Sequence, residues 1–416
     1  MRNTPFWWIL IGFMVLLDIY VFQAVKVISS PAGSKTRIII YYGYWIVSIV
    51  AILTLLILPY LHFEHQARMT RSTIFALIAG VFFAKLIAAV FFLVDDIRRG
   101  IQWVAGKLFF SNTEGETLQQ DGRISRSIFL SWAGMLMGGG LFGTLVYGFG
   151  NKYKYQVKRI SLSYDNLPPA FRGLKIIQIS DIHSGSFGDK KAVQKGIDKI
   201  MKENADLILF TGDLVNNTAD EMDDYKDLFS VLKAPMGVYS TLGNHDYGDY
   251  YDWKNAEEKA ANLERLKHVH AQLGWRLLMN EHITFNRGND TIALIGIENW
   301  SAKGSFPKYG DLSKAYAGSE SYPFKILMSH DPSHWDAQVR TSYSDIDLML
   351  AGHTHGMQFG VELPGFKWSP VQYVYKQWAG LYEEGKQKLY VNRGFGFIGY
   401  PGRVGILPEI TVIELV

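Results

Sequence analysis

The chain has 416 residues, no cysteine and a formal net charge of +3. That length carries two or three domains and a full apolar core. Without thiols there are no disulfides, thiolate metal sites or cysteine nucleophile, and the small net charge, with no long basic tract, speaks against a nucleic-acid partner.

The first 150 residues differ from the rest. Four apolar runs, roughly 6–27, 38–61, 74–94 and 128–149, match the ~20 residues that a helix needs to cross a bilayer. They lack the polar periodicity of buried soluble helices. The first run has no small-residue cleavage site and three more follow it, so it reads as a span and not as a removable signal. Asp18 and Lys85 fall near the middle of the first and third runs, which cross in the same direction. A lone charge at that depth is costly, so an Asp18–Lys85 pair is expected. Gly134, Gly138, Gly139, Gly140 and Gly143 in the fourth run predict close helix packing. Lysine and arginine divide almost evenly between the two sides, so the basic-side rule hardly discriminates. Ser125-Arg126-Ser127-Ile128-Phe129-Leu130 resembles a twin-arginine export signal in which Ser127 replaces the second arginine. The expected orientation places the following domain outside the cytoplasm.

Residues 151–416 read as one globular domain. Short apolar runs at 174–180, 207–211 and 238–242 predict buried strands, and 190–203 has the apolar spacing of an amphipathic helix. A second helix is expected over 256–273. A hairpin is expected from 283–285 and 291–297 around Gly288-Asn289. Further strands are expected at 325–328, 346–350, 388–391 and 409–415.

Strand after strand ends at a polar cluster: Asp181-Ile182-His183, Gly212-Asp213, Gly243-Asn244-His245-Asp246, Ser329-His330-Asp331 and Gly352-His353-Thr354-His355. In layered α/β folds sites gather beyond the carboxyl ends of strands. Asp-x-His puts two donors on one side of an extended segment, so Asp181 with His183, and likewise His353 with His355, can grip one ion. Asp213 suits a carboxylate bridging two ions, and Asn244 and His330 can complete the shell of the second ion. Mixed carboxylate, amide and imidazole donors suit Mn, Fe, Zn or Co. His245 is expected to be catalytic, passing a proton to the leaving group, with Asp246 orienting it. Arg403 is the expected substrate-phosphate contact through its planar fork. The loop bearing Tyr247, Tyr250, Tyr251 and Trp253 is expected to help capture a lipid-like phosphoester. His268 and His270, two apart on a helix, cannot share an ion; His282 and His334 read as structural.

These clusters resemble the calcineurin-like metallophosphoesterase superfamily, whose pattern is D-x-H, G-D, G-N-H-D/E, H and G-H-x-H, over about 170–416. Asp331-Pro332, Pro401-Gly402-Arg403 and Pro408-Glu409-Ile410 are similar to its bacterial membrane-associated phosphodiesterase branch. Met357 departs from it, standing where that branch has a second glycine. The resemblance implies a four-layer α/β/β/α sandwich; with the apolar runs, this gives an α-helical transmembrane bundle at 1–150 followed by the catalytic domain at 151–416. It implies two divalent metal ions: one held by Asp181, His183, Asp213 and His355, the other by Asp213, Asn244, His330 and His353. The implied reaction is phosphodiester hydrolysis by a hydroxide bound to the metal pair. Two alternatives differ in substrate or class: a lipid-linked pyrophosphatase, or a membrane transporter or sensor with a regulatory metal domain. Oligomeric state is open.

Overall fold

The computed structural model describes residues 5–58, 68–109, 126–304 and 306–416. It divides into two compact units, Met1–Tyr147 and Gly148–Val416.

Among the described residues the first unit holds four helices, α1 (Pro5–Ser29), α2 (Ser34–Ile57), α3 (Arg68–Phe109) and α4 (Ile128–Gly148). Each is long and apolar enough to cross a membrane. Part of the second expected span, up to residue 61, and Ser125 of the export-like stretch lie outside the described residues. Leu17, Val21 and Ala24 of α1 pack on Ala88, Ala89 and Phe92 of α3. The Lys85 ammonium lies 2.5 Å from an Asp18 carboxylate oxygen and donates to Ser48 Oγ at 2.7 Å. Tyr44 donates its hydroxyl to the Asp18 carbonyl at 2.8 Å, so the expected pair forms inside a small polar network. In α4 only two of the glycines make the expected approach. A methyl at Gly138 would stand 2.3 Å from the Ala84 carbonyl oxygen and one at Gly134 2.9 Å from that of Ala88, while Gly139, Gly140 and Gly143 face open space.

Helix α3 runs fifteen residues past the end of the third apolar run at about 94, to Phe109. The charges that mark the end of the apolar run do not stop the helix, because they pair along it. Arg98 meets Asp95 at 2.9 Å, three residues apart, Arg99 meets Asp96 at the same spacing, and Arg126 closes on Asp96 at 2.9 Å. The second Asp95 oxygen takes the Ser127 amide at 2.9 Å, at the start of α4.

Among its described residues the second unit has fourteen strands. In chain order they are β1 (Gln156–Leu162), β2 (Leu174–Ile179), β3 (Leu207–Phe210), β4 (Val238–Ser240), β5 (Arg276–Leu277), β6 (Glu281–Arg287), β7 (Asp290–Gly296), β8 (Lys325–Met328), β9 (Leu348–Ala351), β10 (Val361–Leu363), β11 (Phe366–Trp368), β12 (Gly380–Glu384), β13 (Gln387–Val391) and β14 (Glu409–Leu415). Two six-stranded sheets form, in the orders β1-β14-β2-β3-β4-β5 and β12-β13-β9-β8-β7-β6, with β10 and β11 as a separate antiparallel ribbon. The central pairs β2–β3–β4 and β7–β8–β9 are parallel, which aligns their carboxyl ends. These strands are apolar on both faces, as doubly covered parallel strands must be. Ile176, Leu207 and Leu209 face Leu294, Ile326, Met328, Leu348 and Leu350 of the other sheet. The alternate residues Ile177, Ile179, Ile208 and Phe210 pack outward on Val193 and Ile197 of helix α5 (Lys190–Lys202) and on Leu266 and Val269 of helix α6 (Ala256–Gln272). Beyond the second sheet, Trp335 and Val339 cover Leu327, Met349 and Leu389. The layers are therefore helix, sheet, sheet, helix. Strand β1 was not expected from the sequence: its residues (Gln-Val-Lys-Arg-Ile-Ser-Leu) form an edge strand with one fully buried position, Leu162.

Candidate metal centre

The ligand-type residues sit in the turns immediately after β2, β3, β4, β8 and β9. Asp181, His183, Asp213, His353 and His355 all have positive φ, between 48° and 70°. A non-glycine residue in this region costs about 1–3 kcal/mol and survives only where its surroundings enforce it. Here the turns bend each donor inward, and glycine makes room. Gly212 has φ of 98°, and a Cβ there would come within 2.6 Å of the Gly243 nitrogen and 2.9 Å of His330 Nδ1. A Cβ at Gly352 would meet the Asp181 carboxylate at 2.2 Å.

Two triads result. The donor atoms of Asp181, His183 and His355 lie within 4.8 Å of one another, as do those of Asp213, His330 and His353. One oxygen joins the triads: Asp213 Oδ2 is 3.5 Å from His183 Nε2 and 3.1 Å from His330 Nε2. Asn244 presents Oδ1 to the second triad, 2.9 Å from His353 Nδ1, while its amide nitrogen donates to the Tyr250 hydroxyl at 3.0 Å.

Hydrogen bonds from behind fix the donors. His330 Nδ1 is 2.7 Å from the Thr211 carbonyl; because a carbonyl only accepts, Nδ1 carries the proton and Nε2 points into the site. The His353 amide donates to both Asp181 oxygens at 3.0 Å. Tyr375, which no sequence pattern marked, places its hydroxyl 2.9 Å from His353 Nε2 and donates to Asp331 at 3.2 Å. Nothing in its spacing from the histidine motif signals this, because it arrives on a loop twenty residues after His355.

Burial and charge divide the site. Burial lowers His183 to about 3 and raises the Asp181 carboxyl to about 6. Burial also opposes charge on Asp213, but neighbouring His330 and His245 outweigh it and hold that carboxyl well below the usual range. His330 is its counterpart: burial disfavours its proton, yet Asp213 raises it to about 10. Four imidazole nitrogens of the site, the Nε2 of His183, His330 and His355 and the Nδ1 of His183, are buried without a hydrogen bond of good geometry. Buried polar atoms are seldom left so. Converging lone pairs with two carboxylates and an amide oxygen fit a pair of divalent cations.

Two expected roles require correction. Asp246 does not orient His245. Its carboxylate accepts the amides of Asp213 (2.8 Å), Leu214 (2.8 Å), Val215 (3.3 Å) and Gly243 (2.9 Å), and so ties the β3 turn to the β4 turn. The His245 ring is held instead by the Asn216 carbonyl, 2.8 Å from Nδ1, and its amide donates to Asp213 at 2.9 Å. Arg403 is fully buried and is not open to substrate. It donates to the carbonyls of Arg393 (2.7 Å) and Gly396 and lies 3.2 Å from His355 Nδ1. It is a positioning residue behind His355. In the aromatic loop, Tyr250 reaches the site, its ring 4.6 Å from that of His245. Tyr247 is buried on Glu298, and Trp253 is tied to the Gly248 carbonyl at 2.7 Å. His270 and His334 are buried structural histidines, bonded to Ser240 and Ser329.

The family model "Calcineurin-like phosphoesterase" matches residues 174–357, and "Probable Calcineurin-like phosphoesterase, transmembrane domain" matches 1–151. The uncharacterized metallophosphoesterase YkuE of Bacillus subtilis is 30% identical over 68% of this chain and 92% of its own length. The chain belongs to the calcineurin-like phosphoesterases. It carries both modules of a membrane metallophosphoesterase. A zebrafish "Transmembrane protein with metallophosphoesterase domain" is 29% identical over 65% of this chain, and the match spans 60% of that longer protein. Two bacterial relatives have names that state a chemistry. Phosphodiesterase YaeI of Escherichia coli is 28% identical over 62% of this chain and 86% of its own. UDP-2,3-diacylglucosamine pyrophosphatase LpxG of Chlamydia trachomatis is 26% identical over 61% and 88%.

Proposed function

We propose that this chain is a membrane-anchored phosphoesterase that uses two divalent cations to hydrolyse a phosphodiester or pyrophosphate bond in a lipid-borne substrate. The observation that carries the reading is the single Asp213 oxygen facing one imidazole of each triad, the arrangement a bridging carboxylate needs. Asp181, His183, Asp213 and His355 would hold one cation; Asp213, Asn244, His330 and His353 the other. Bound there, the cations supply Lewis acidity to the phosphoryl oxygens and activate water as the nucleophile.

The chain's own residues do the rest. His245 is half-buried beside His183 and Tyr250, and its Nδ1 proton is committed to the Asn216 carbonyl. A second proton, on Nε2, exists only in the imidazolium form, so His245 acts as an acid when charged and delivers that proton to the departing oxygen. Tyr250 and Tyr375 flank the ligands Asn244 and His353. The names of YaeI and LpxG support the diester and pyrophosphate classes. The apolar first unit supports a substrate drawn from the bilayer, and we place the catalytic domain outside the cytoplasm. Because the chain has no cysteine, Lys195→Cys and an impermeant thiol reagent report that orientation directly.

The test is a substrate panel on the purified full chain, stripped and reloaded with Mn, Fe, Zn or Co. It compares bis(4-nitrophenyl) phosphate, 4-nitrophenyl phosphate and a nucleoside diphosphate–diacylated sugar. Metal-dependent cleavage of a diester or pyrophosphate is expected. Stoichiometric metal binding with no cleavage under any metal would overturn the enzyme reading in favour of a metal-reading sensor.

A further inference from the structure

The ribbon β10–β11 follows directly on the Gly352–His355 turn, and its polarity is inverted. Its register pairs Val361 with Trp368, Glu362 with Lys367, and Leu363 with Phe366. Side chains alternate along a strand, so Val361, Leu363, Phe366 and Trp368 share one face, and Glu362 and Lys367 the other. In a soluble ribbon the apolar face turns inward. Here Leu363 is 61% exposed, Phe366 56% and Val361 42%. The polar face is the satisfied one. Glu362 pairs with Lys158 and with Arg393 (2.8 Å), and Lys367 donates to the Ala379 carbonyl. Met357, Tyr373 and Val374 extend the exposed apolar surface. A patch of this kind beside a site marks a surface that meets something apolar.

The chain itself indicates the occupant. An apolar helix of membrane-crossing length ends at Gly148, and Gly148 packs within the catalytic unit. Its carbonyl accepts the Arg403 amide at 3.0 Å, and a Cβ there would lie 2.7 Å from Val404. Val404 in turn is bonded to the base of the ribbon: its amide donates to Gln358 at 2.8 Å, and its carbonyl accepts from Gly360 at 2.9 Å. The exposed apolar ribbon is thus one bonded step from the point where the chain leaves its apolar helix. From the ribbon, continuity also runs inward to the metal ligands. Met357 lies two residues beyond His355, and Tyr375, beside exposed Tyr373 and Val374, touches His353.

We infer that the Val361–Trp368 ribbon inserts its apolar face into the acyl region of the bilayer and there receives the hydrocarbon part of the substrate. The inference rests on the phosphoesterase reading and specifies its substrate class as a phosphoester with acyl chains. Phe366 and Leu363 are the insertion residues; the ribbon carries the substrate from the leaflet to Met357 and Tyr375 at the edge of the site.

Because the chain has no cysteine, a single spin label is unambiguous. The full chain carrying Leu363→Cys is labelled and reconstituted in vesicles of phosphatidylcholine with a minority of phosphatidylglycerol. Lys195→Cys on α5 serves as the water-exposed reference. The label at 363 is expected to be reached by oxygen and shielded from a water-soluble nickel relaxant, and the label at 195 the reverse. Equal nickel accessibility at both positions would overturn insertion. A second arm uses Leu363→Ser with Phe366→Ser. Turnover of vesicle-borne phosphatidate 4-nitrophenyl ester should fall about tenfold or more, since two large apolar side chains leave the interface, while turnover of soluble bis(4-nitrophenyl) phosphate holds. An equal loss on both substrates, or a loss on neither, would also overturn it. The label readout needs no turnover, so an unmodified chain that cleaves neither substrate refutes the phosphoesterase reading alone.

Discussion

The two units bury charge in opposite ways. Among the described residues of the helical unit, the buried carboxylates Asp18 and Asp95 are met by Lys85 and Arg98 of the same unit, and half-buried Asp96 by Arg99 and Arg126. In the catalytic unit Asp181 and Asp213 face imidazoles whose own Nε2 atoms lack good partners. The first arrangement is closed, and its charges cancel within the chain. The second is completed by something the polypeptide does not supply. A buried charge is tolerable only when paired or ligated. The contrast therefore separates charges that hold the fold from charges that hold a ligand.

The sharpest break of that contrast is Asp213→Asn. The amide keeps the shape but removes the shared anionic oxygen. Turnover should fall by at least about a thousandfold, roughly 4 kcal/mol, and metal content should drop by one or both ions. A variant that keeps both ions and full rate would show that Asp213 is no bridge. The cation-free site adds a pH signature. With His330 raised to about 10 and Asp213 held low, a proton rests on His330 at neutral pH. Metal must displace it, so apparent affinity should weaken as pH falls and loading should release protons, measurable by titration calorimetry in buffers of different ionisation heat.

The closed cluster is tested by Asp18→Asn. It leaves the Lys85 ammonium without its anion, and breaking such a pair costs about 3 kcal/mol or more. Thermal unfolding of the helical unit should shift down, while turnover of a soluble diester should stay within about twofold, well short of the Asp213 effect. Replacing both partners, Asp18→Leu with Lys85→Leu, should recover most of the stability. If Asp18→Asn abolishes turnover as Asp213→Asn does, the closed cluster is not merely structural.

The sequence was legible where a functional residue sits beside its own strand. The donors after β2, β3, β4, β8 and β9 each lie within a few residues of an apolar run, so strand ends and ligands are read together. The Asp18–Lys85 pair was legible because depth in a span follows from counting residues. Roles set by distant partners were not. Arg403 has the chemistry of a phosphate contact, and only the fold shows its guanidinium spent on the Arg393 and Gly396 carbonyls. Asp246 follows His245 in sequence yet serves three amides of the β3 turn and one of its own. The apolar run alone marked only the membrane-length part of α3; its charged extension is held by local i,i+3 pairs and by the distant Arg126. The ribbon β10–β11 has three residues per strand, too few for periodicity to register.

Arg403→Lys probes the open site from behind. The ammonium cannot reproduce a fork that serves several carbonyls and His355 at once. Loss of such a supporting contact typically costs about 10–100-fold in metal affinity or rate. The loss should fall on the ion held by Asp181, His183 and His355 and be partly rescued by excess metal. Loss through KM alone, with metal affinity intact, would return Arg403 to the role of a substrate contact.

His270 gives the smallest and most discriminating case. It is a buried imidazole in the catalytic unit with one good partner, Ser240 Oγ at 2.9 Å, and an unpartnered Nε2. It stands outside both triads, so the contrast predicts a contribution to folding and none to catalysis. Burial lowers it to about 3 from an ordinary value of 6.5. A depressed histidine favours the fold fully above the unfolded value; the contribution is lost as pH falls from about 6.5 towards 3, because the unfolded chain takes the proton first. At pH 5 the penalty is about 2 kcal/mol. His270→Gln retains a hydrogen-bonding group but cannot titrate, so its urea midpoint should vary less between pH 7 and pH 5 than that of the unmodified chain. The indole of Trp275, whose ring centre lies 6.1 Å from the imidazole, offers a local fluorescence signal. Identical pH slopes in the two proteins would remove His270 from the acid response. A change in metal content would mean that an unpartnered nitrogen outside the triads also belongs to the ligand-holding set.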